Sequence, residues 1–270
     1  MAYVNLSALT HERADVPVVR KISIDDLKTA VRAGLADFRA MPTHVIFLVI
    51  IYPIIGLVIA RVTMGEDLLP LAYPLMAGFA LLGPFAALGL YELSRRREQG
   101  RDLFWSHAFD VVRSPSFGAI ATLGAAQMLI FIAWIATAHG LYTGLFGHEA
   151  RPHSLGELAS LVLTTPSGWA LIILGNGIGF LFALLALGLS VVSFPLLLDR
   201  PVGAMAAMAT SVRAVLANPG PMAAWGLFIA VALFIGSLPL FIGLAIILPI
   251  LGHATWHLYR RVVVAADPRL

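Results

Sequence analysis

Five stretches of this chain contain no Asp, Glu, Lys or Arg, and they decide what it can fold into. They run over 40–60, 68–91, 114–148, 158–198 and 214–259. A helix crosses the hydrocarbon core with about 20 apolar residues. Four of the five runs read as one span each, the last as two. Gly236-Ser237-Leu238-Pro239 marks a turn near its middle. In 158–198, the opening part with Thr164, Thr165, Pro166 and Ser167 reads as a short extramembrane piece. Six spans result, near 43–61, 70–94, 117–139, 168–198, 220–237 and 239–261. Composition agrees: 59% of residues are hydrophobic and only 12% charged, about half the charged fraction of a soluble domain. A soluble globular domain and a disordered chain are both excluded. Cysteine is absent, which removes disulfides, thiolate metal sites and a cysteine nucleophile.

Charge placement orients the spans. With both termini inside, 16 of the 18 Lys and Arg residues fall on the inner side. The N-terminal segment holds six, the second loop five (Arg95, Arg96, Arg97, Arg101, Arg113), the fourth loop Arg200 and Arg213, and the C-terminal end Arg260, Arg261 and Arg269. Only Arg61 and Arg151 lie outside, as the positive-inside rule requires. The net charge of +3 therefore reflects topology and an inner face suited to anionic lipid headgroups, not nucleic-acid binding. The first 40 residues contain no apolar signal-peptide core. Residues 1–20 read as a flexible cytoplasmic tail, 21–264 as one membrane domain and 265–270 as a C-terminal tail.

An internal repeat is visible. Pro74 to Pro84 aligns with Pro239 to Pro249, sharing Pro, Leu, Gly, Ala and Pro in register. Tyr91-Glu92-Leu93-Ser94-Arg95-Arg96 then lies opposite Trp256-His257-Leu258-Tyr259-Arg260-Arg261. Spans one, three and five are each preceded by an amphipathic segment and a proline. The first is Ile24 to Ala40 before Met41-Pro42, with Ile24, Leu27, Val31, Leu35 and Phe38 on one face and a cap from Ser23, Asp25 and Asp26. The second is Leu103 to Arg113 before Ser114-Pro115, capped by Asp102; the third is Val202 to Ala217 before Asn218-Pro219, with Pro201 in its first turn. The residue before proline is driven out of the helical region, so each helix should stop there and feed a span. The expected fold is all-α: a polytopic membrane bundle of six transmembrane helices, built as three repeats (23–97, 101–200, 201–262) of a cytoplasmic interfacial helix plus a transmembrane hairpin.

The stretches Ser23 to Leu27, Gly83-Pro84-Phe85, Gly89 to Arg96 and Gly252 to Arg260 resemble a family of bacterial integral membrane proteins, domain of unknown function 2189. The resemblance extends over about 20–264. It implies a bacterial inner-membrane location and supplies no catalytic residues. Some members carry labels connecting them to cytochrome oxidase, which implies association with a respiratory complex.

Intramembrane polar side chains are costly and mark candidate sites. His253 and His257, four apart, share a helix face and could ligate a metal or haem, or else pair locally. Glu92 is equivalent to His257 in the repeat and could meet it across the bundle; the alternative is pairing with Arg95 or Arg96. Gln127 and Asn176 could hydrogen-bond between helices. Gly175-Asn176-Gly177-Ile178-Gly179 either permits close helix approach or breaks span four. In the middle outer loop, His139, His148, Glu149, His153 and Glu157 could form a surface metal site on the outer face; their spacing matches no ligand motif, and the alternative is solvated side chains. Trp134, Trp169, Trp225, Trp256 and Tyr142 sit near span ends, as in an aromatic belt. The chain carries no catalytic or cofactor motif. It reads as a non-enzymatic organising or accessory component bound to lipid or to a membrane complex. The competing reading is a transporter with a site near Asn176, Gln127, Glu92 and His257; a haem or metal protein ranks third.

Overall fold

The computed structural model describes residues 17–41, 53, 56–57, 69–147, 150, 152–239 and 242–264. The first expected span, 43–61, lies almost wholly outside them. Helix α1 (Ile24–Ala40) starts at a reciprocal cap: Ser23 Oγ accepts from the Asp26 amide, and the Asp26 carboxylate accepts from the Ser23 amide at 2.9 Å. It stops at Met41, the residue before Pro42.

The second expected span is one apolar stretch, Leu69–Glu98, but not one regular helix. It passes through α2 (Ala72–Phe79), a 3-10 turn at Ala80–Leu82, α3 (Gly83–Ala86) and α4 (Leu88–Glu98). Pro84 has no amide hydrogen and sits in the first turn of α3, so the i→i−4 ladder is interrupted there. A 3-10 helix, Trp105–Arg113, follows and buries Ala108 and Val111, three residues apart as that helix demands. Its N-cap is Phe104 with no side-chain bond, so the expected cap by Asp102 is not made.

Helix α5 (Phe117–Phe146) runs seven residues beyond the expected end of span three at 139. The expected extramembrane piece is a short helix, α6 (Leu155–Thr164), which turns directly into α7 (Pro166–Ser190). A Cβ on Gly168 would fall 2.1 Å from the Val162 carbonyl oxygen, so that turn closes only on glycine. Helix α7 runs unbroken through Gly175–Gly179. The interruption of the fourth span comes later, at Val191–Val192, before α8 (Ser193–Asp199). Of these glycines Gly179 allows close approach: a Cβ there would lie 3.0 Å from the Trp134 ring.

Helix α9 (Ala204–Ala217) begins after Gly203, whose φ is 77°, so Pro201 lies before the helix and not in its first turn. It ends at Asn218, before Pro219 opens α10 (Pro219–Ser237). The turn at 238–239 leads to α11 (Leu244–Val262), where Pro249 lies inside the helix. All three segments expected to be amphipathic thus end one residue before the caps Met41, Ser114 and Asn218, each followed by proline.

Among the described residues, four helical stretches are long and apolar enough to cross a membrane: Leu69–Glu98, Phe117–Phe146, Pro166–Asp199 and Pro219–Ser237. These are expected spans two to five. The sixth position is occupied by α11, whose apolar first half gives way to His253, Thr255, His257, Arg260 and Arg261.

The principal core lies at the arginine-rich end, where Phe194, Leu196 and Leu197 of α8 pack with Trp256, Leu258 and Tyr259 of α11, all at most 1% exposed. Helix α1 lies along α11. Its buried stripe is Leu27, Ala30, Gly34 and Asp37. A Cβ on Gly34 would sit 2.5 Å from the Ala254 amide nitrogen, which is close packing between small residues. The segment before α1 is tied down too. Val19 bridges Val263, the Arg20 amide donates to the Val262 carbonyl at 2.8 Å, and the Ile22 amide donates to Asn218 Oδ1 at 2.8 Å. The last residues of the expected N-terminal tail, Val19 and Arg20, are thus paired with the end of α11.

Candidate functional site

Glu92, Arg95 and Arg96 stand on successive turns of α4, and Glu92 is 1% exposed. The carboxylate accepts from Arg95 Nε at 2.8 Å and from Arg96 Nε at 3.0 Å. A buried carboxylate requires such partners to stay ionised. Each arginine then reaches outward: Arg95 Nη1 donates to the Leu198 carbonyl of α8 at 2.6 Å, and Arg96 Nη2 to Asp110 Oδ2 at 2.6 Å. Asp110 also binds His107 Nδ1 at 2.8 Å. That hydrogen bond, with the Arg96 charge, holds the Asp110 carboxyl below the usual carboxylate range.

The second cluster centres on Asp37 of α1, 3% exposed. Its Oδ2 accepts from Ser94 Oγ at 2.6 Å and from His257 Nε2 at 2.8 Å, and its Oδ1 pairs with Arg97. Burial pushes the Asp37 carboxyl up. The hydrogen bonds from His257 and Ser94 outweigh that and leave it below the ordinary value. Since Ser94 gives its hydrogen to Asp37, its oxygen accepts from His253 Nδ1 at 2.7 Å. His253 Nε2 has no hydrogen-bond partner among the described residues.

The third cluster joins the span ends. Trp256 Nε1 donates to Glu98 Oε2 at 3.0 Å and Arg260 Nε to Glu98 Oε1 at 2.9 Å, linking α11 to α4. Asp199 Oδ2 accepts from Tyr259 Oη at 2.5 Å and from Arg260 Nη1 at 3.4 Å, linking α11 to α8. Arg261 Nη1 donates to Asp26 Oδ1 at 2.8 Å, closing α11 onto α1. The ends of α4, α8 and α11 are thus bonded pair by pair.

Glu92 and His257 do not meet through any of these bonds. Glu92 takes the local arginines and His257 takes Asp37, because α1 lies along α11 and brings its own carboxylate there. His253 and His257 each bond through one ring nitrogen, Nδ1 of His253 to Ser94 and Nε2 of His257 to Asp37. Ser94, His253 and Asp37 are the residue types of a nucleophilic triad in the wrong order. Serine bridges acid and histidine, whereas in a triad the histidine bridges serine and acid. Among the described residues no group of three potential ligands could hold a metal ion.

The two deep amides do cross helices. Gln127 Nε2 donates to the Leu81 carbonyl at 2.8 Å, in the 3-10 turn before Pro84. Two turns along α5, Trp134 Nε1 donates to the Pro74 carbonyl at 2.7 Å. Asn176 Nδ2 donates to the Ile172 carbonyl at 2.8 Å in its own helix, and its Oδ1 accepts from Tyr73 Oη at 2.9 Å. Of the expected belt, Trp134, Trp225, Trp256 and Tyr142 are buried within the protein, whereas Trp169 is exposed. In the loop after α5, the His153 amide donates to the Glu157 carboxylate at 2.7 Å as part of the α6 N-terminus. His139 lies on α5, and His148 and Glu149 fall outside the described residues.

Sequence reasoning missed Asp37, Ser94, Arg97, Glu98 and Asp199. A signal for Asp37 existed: with Ala30 and Gly34 it continues a stripe of small residues at helical spacing.

Apolar helices long enough to span, and polar groups that cross-link their ends, define a multi-pass helical membrane protein. Residues 72–199 match the model of a family described as predicted integral membrane protein (DUF2189). The match takes in two of the four motifs that carried the resemblance, Gly83–Phe85 and Gly89–Arg96; Ser23–Leu27 and Gly252–Arg260 lie beyond it. No curated protein and no solved structure matches the chain.

Proposed function

We propose that the chain is a non-catalytic organising component of a bacterial inner membrane, with six spans in three repeated units and both termini cytoplasmic. The observation that carries this reading is the mutual bonding of the ends of α4, α8 and α11. It turns the arginine-rich end into one rigid cap, in which Arg95, Trp256, Tyr259 and Arg260 each bond to a neighbouring helix. Two further contacts support the repeat. Arg96 and Arg261 are equivalent in the repeat register, and each binds an aspartate of an expected interfacial helix, Asp110 and Asp26. Helix α1 packs on the end of the last unit, the 3-10 helix on the end of the first, and α9 on the end of the second.

The cap also carries a cleft of about 430 Å³ lined by Arg20, Lys21, His257, Arg260 and Arg261, with Asp26 as its acid. That balance favours an anionic headgroup as the lipid partner. A membrane-protein complex, respiratory or other, is the setting in which a rigid cap of this kind would act. The carrier reading has less in its favour: Gln127, Asn176, Glu92 and His257 share no bonding partner, and Glu92 and His257 sit in the cap.

The test is purification from the native membrane in mild detergent, followed by native mass spectrometry. A protein companion at constant stoichiometry, with anionic phospholipid that is lost in Arg20→Gln/Lys21→Gln, is the expected result. A bare protein that moves a solute across proteoliposomes would overturn the reading.

A further inference from the structure

At the end of the bundle opposite the arginines, a cavity of about 510 Å³ opens between the Leu69–Phe79 segment, α5, α6 and α7. The volume lies within the range of small-molecule sites, roughly 300–1,000 Å³. Helix α6 faces it with Leu155, Leu158, Ala159, Val162 and Leu163. These positions follow the i, i+3, i+4, i+7, i+8 spacing of a single apolar helix face. That face lines the cavity instead of filling it. The tight α6–α7 turn at Gly168 fixes where the short helix lies, and the rigid rings of Pro70, Pro74 and Trp134 form the facing wall.

The lining among the described residues contains no charged side chain. One wall carries the Tyr73–Asn176 pair, and both residues are exposed. Tyr73 gives its hydrogen to Asn176 Oδ1, and Asn176 gives one amide hydrogen to Ile172. Among the described residues, a second amide hydrogen, a lone pair on Oδ1 and the lone pairs of the tyrosine oxygen have no partner and can serve a ligand. This set both donates and accepts within a few ångströms, which is what a hydroxyl needs. It offers no cation to a carboxylate or phosphate.

We propose that this cavity binds a neutral membrane lipid with an apolar chain and a hydroxyl head. The chain lies along α6, and the hydroxyl bonds to Asn176 and Tyr73. The site is independent of the cap and of any organising role.

The experiment labels the purified full-length protein in mild detergent micelles with diazirine-bearing hexadecanol, and in parallel with the corresponding hexadecanoate at alkaline pH. Labelled peptides are then mapped. Two variants fill the cavity from opposite walls. In Gly175→Phe the new side chain starts in open space, since a Cβ there would meet only Leu141 Cδ2 at 3.7 Å. In Ala159→Trp it projects from α6. A third variant, Tyr73→Phe/Asn176→Leu, removes the head contacts and keeps the volume. Thermal midpoints without probe check that each variant is folded. The expected result is saturable labelling of α6 and α7, competed by unlabelled hexadecanol. It should fall about tenfold, equivalent to ~1.4 kcal/mol, in either filled variant, fall in the head-contact variant, and be weaker for the carboxylate. Labelling that does not saturate, or that survives both filled variants, would overturn the site. Equal capture of alcohol and carboxylate would overturn the assignment of the head.

Discussion

Asp37 gathers three side chains of the cap. Ser94, Arg97 and His257 all direct hydrogens or charge at one buried carboxylate. Asp37→Ala leaves these groups facing a void, and we expect a loss of about 3–5 kcal/mol, read as the unfolding midpoint in mixed micelles. Acid should act through the same group. Its folded pKa lies below the ordinary 3.8, so its stabilisation is complete above that value and is lost as pH falls through the folded value. Asp37→Asn should therefore flatten the acid limb of the stability profile below pH 3.8, and an unchanged limb would assign it to other carboxylates. Deeper in the bundle, Gln127→Leu strips the Leu81 carbonyl of its cross-helix donor. The expected cost is about 1 kcal/mol, measurable by the same unfolding assay.

Helix α1 is the element on which sequence and structure part company. Its boundaries and cap were legible, because Ser23 and Asp26 at the start and Pro42 beyond the end are local signals. Its packing face was not. The hydrophobic pattern picks Ile24, Leu27, Val31, Leu35 and Phe38, but the buried stripe is Leu27, Ala30, Gly34 and Asp37, and Ile24 is 47% exposed. Close backbone approach to Ala254 favours small residues over large ones, and a hydropathy pattern does not register that preference. Gly34→Val puts a branched side chain where even a Cβ lies 2.5 Å from backbone. We expect it to lift α1 from α11 and raise hydrogen exchange across Leu27–Asp37 while α5 and α7 stay protected. Protection of α1 equal to the parent would show that the helix can shift to absorb the change.

For the whole molecule, the arrangement makes a topology statement that the lack of cysteine renders easy to read. Asp102→Cys and His153→Cys lie in exposed connections at opposite ends of α5 and α7. With an impermeant maleimide in intact cells, His153→Cys should label and Asp102→Cys should label only after permeabilisation. The reverse pattern would invert the orientation expected from the arginine count.

The chain by itself determined that it is a helical membrane protein, where the four described spans lie, and where each helix before a span must stop. Those properties depend on runs of apolar residues and on proline, whose effects act within a few residues. Tertiary structure alone decided which polar groups meet. His257 took Asp37 over Glu92, and the span ends exchanged bonds through Glu98 and Asp199. Such partners are distant in the chain, and a buried charge settles with whichever opposite charge the packing of small residues brings within reach.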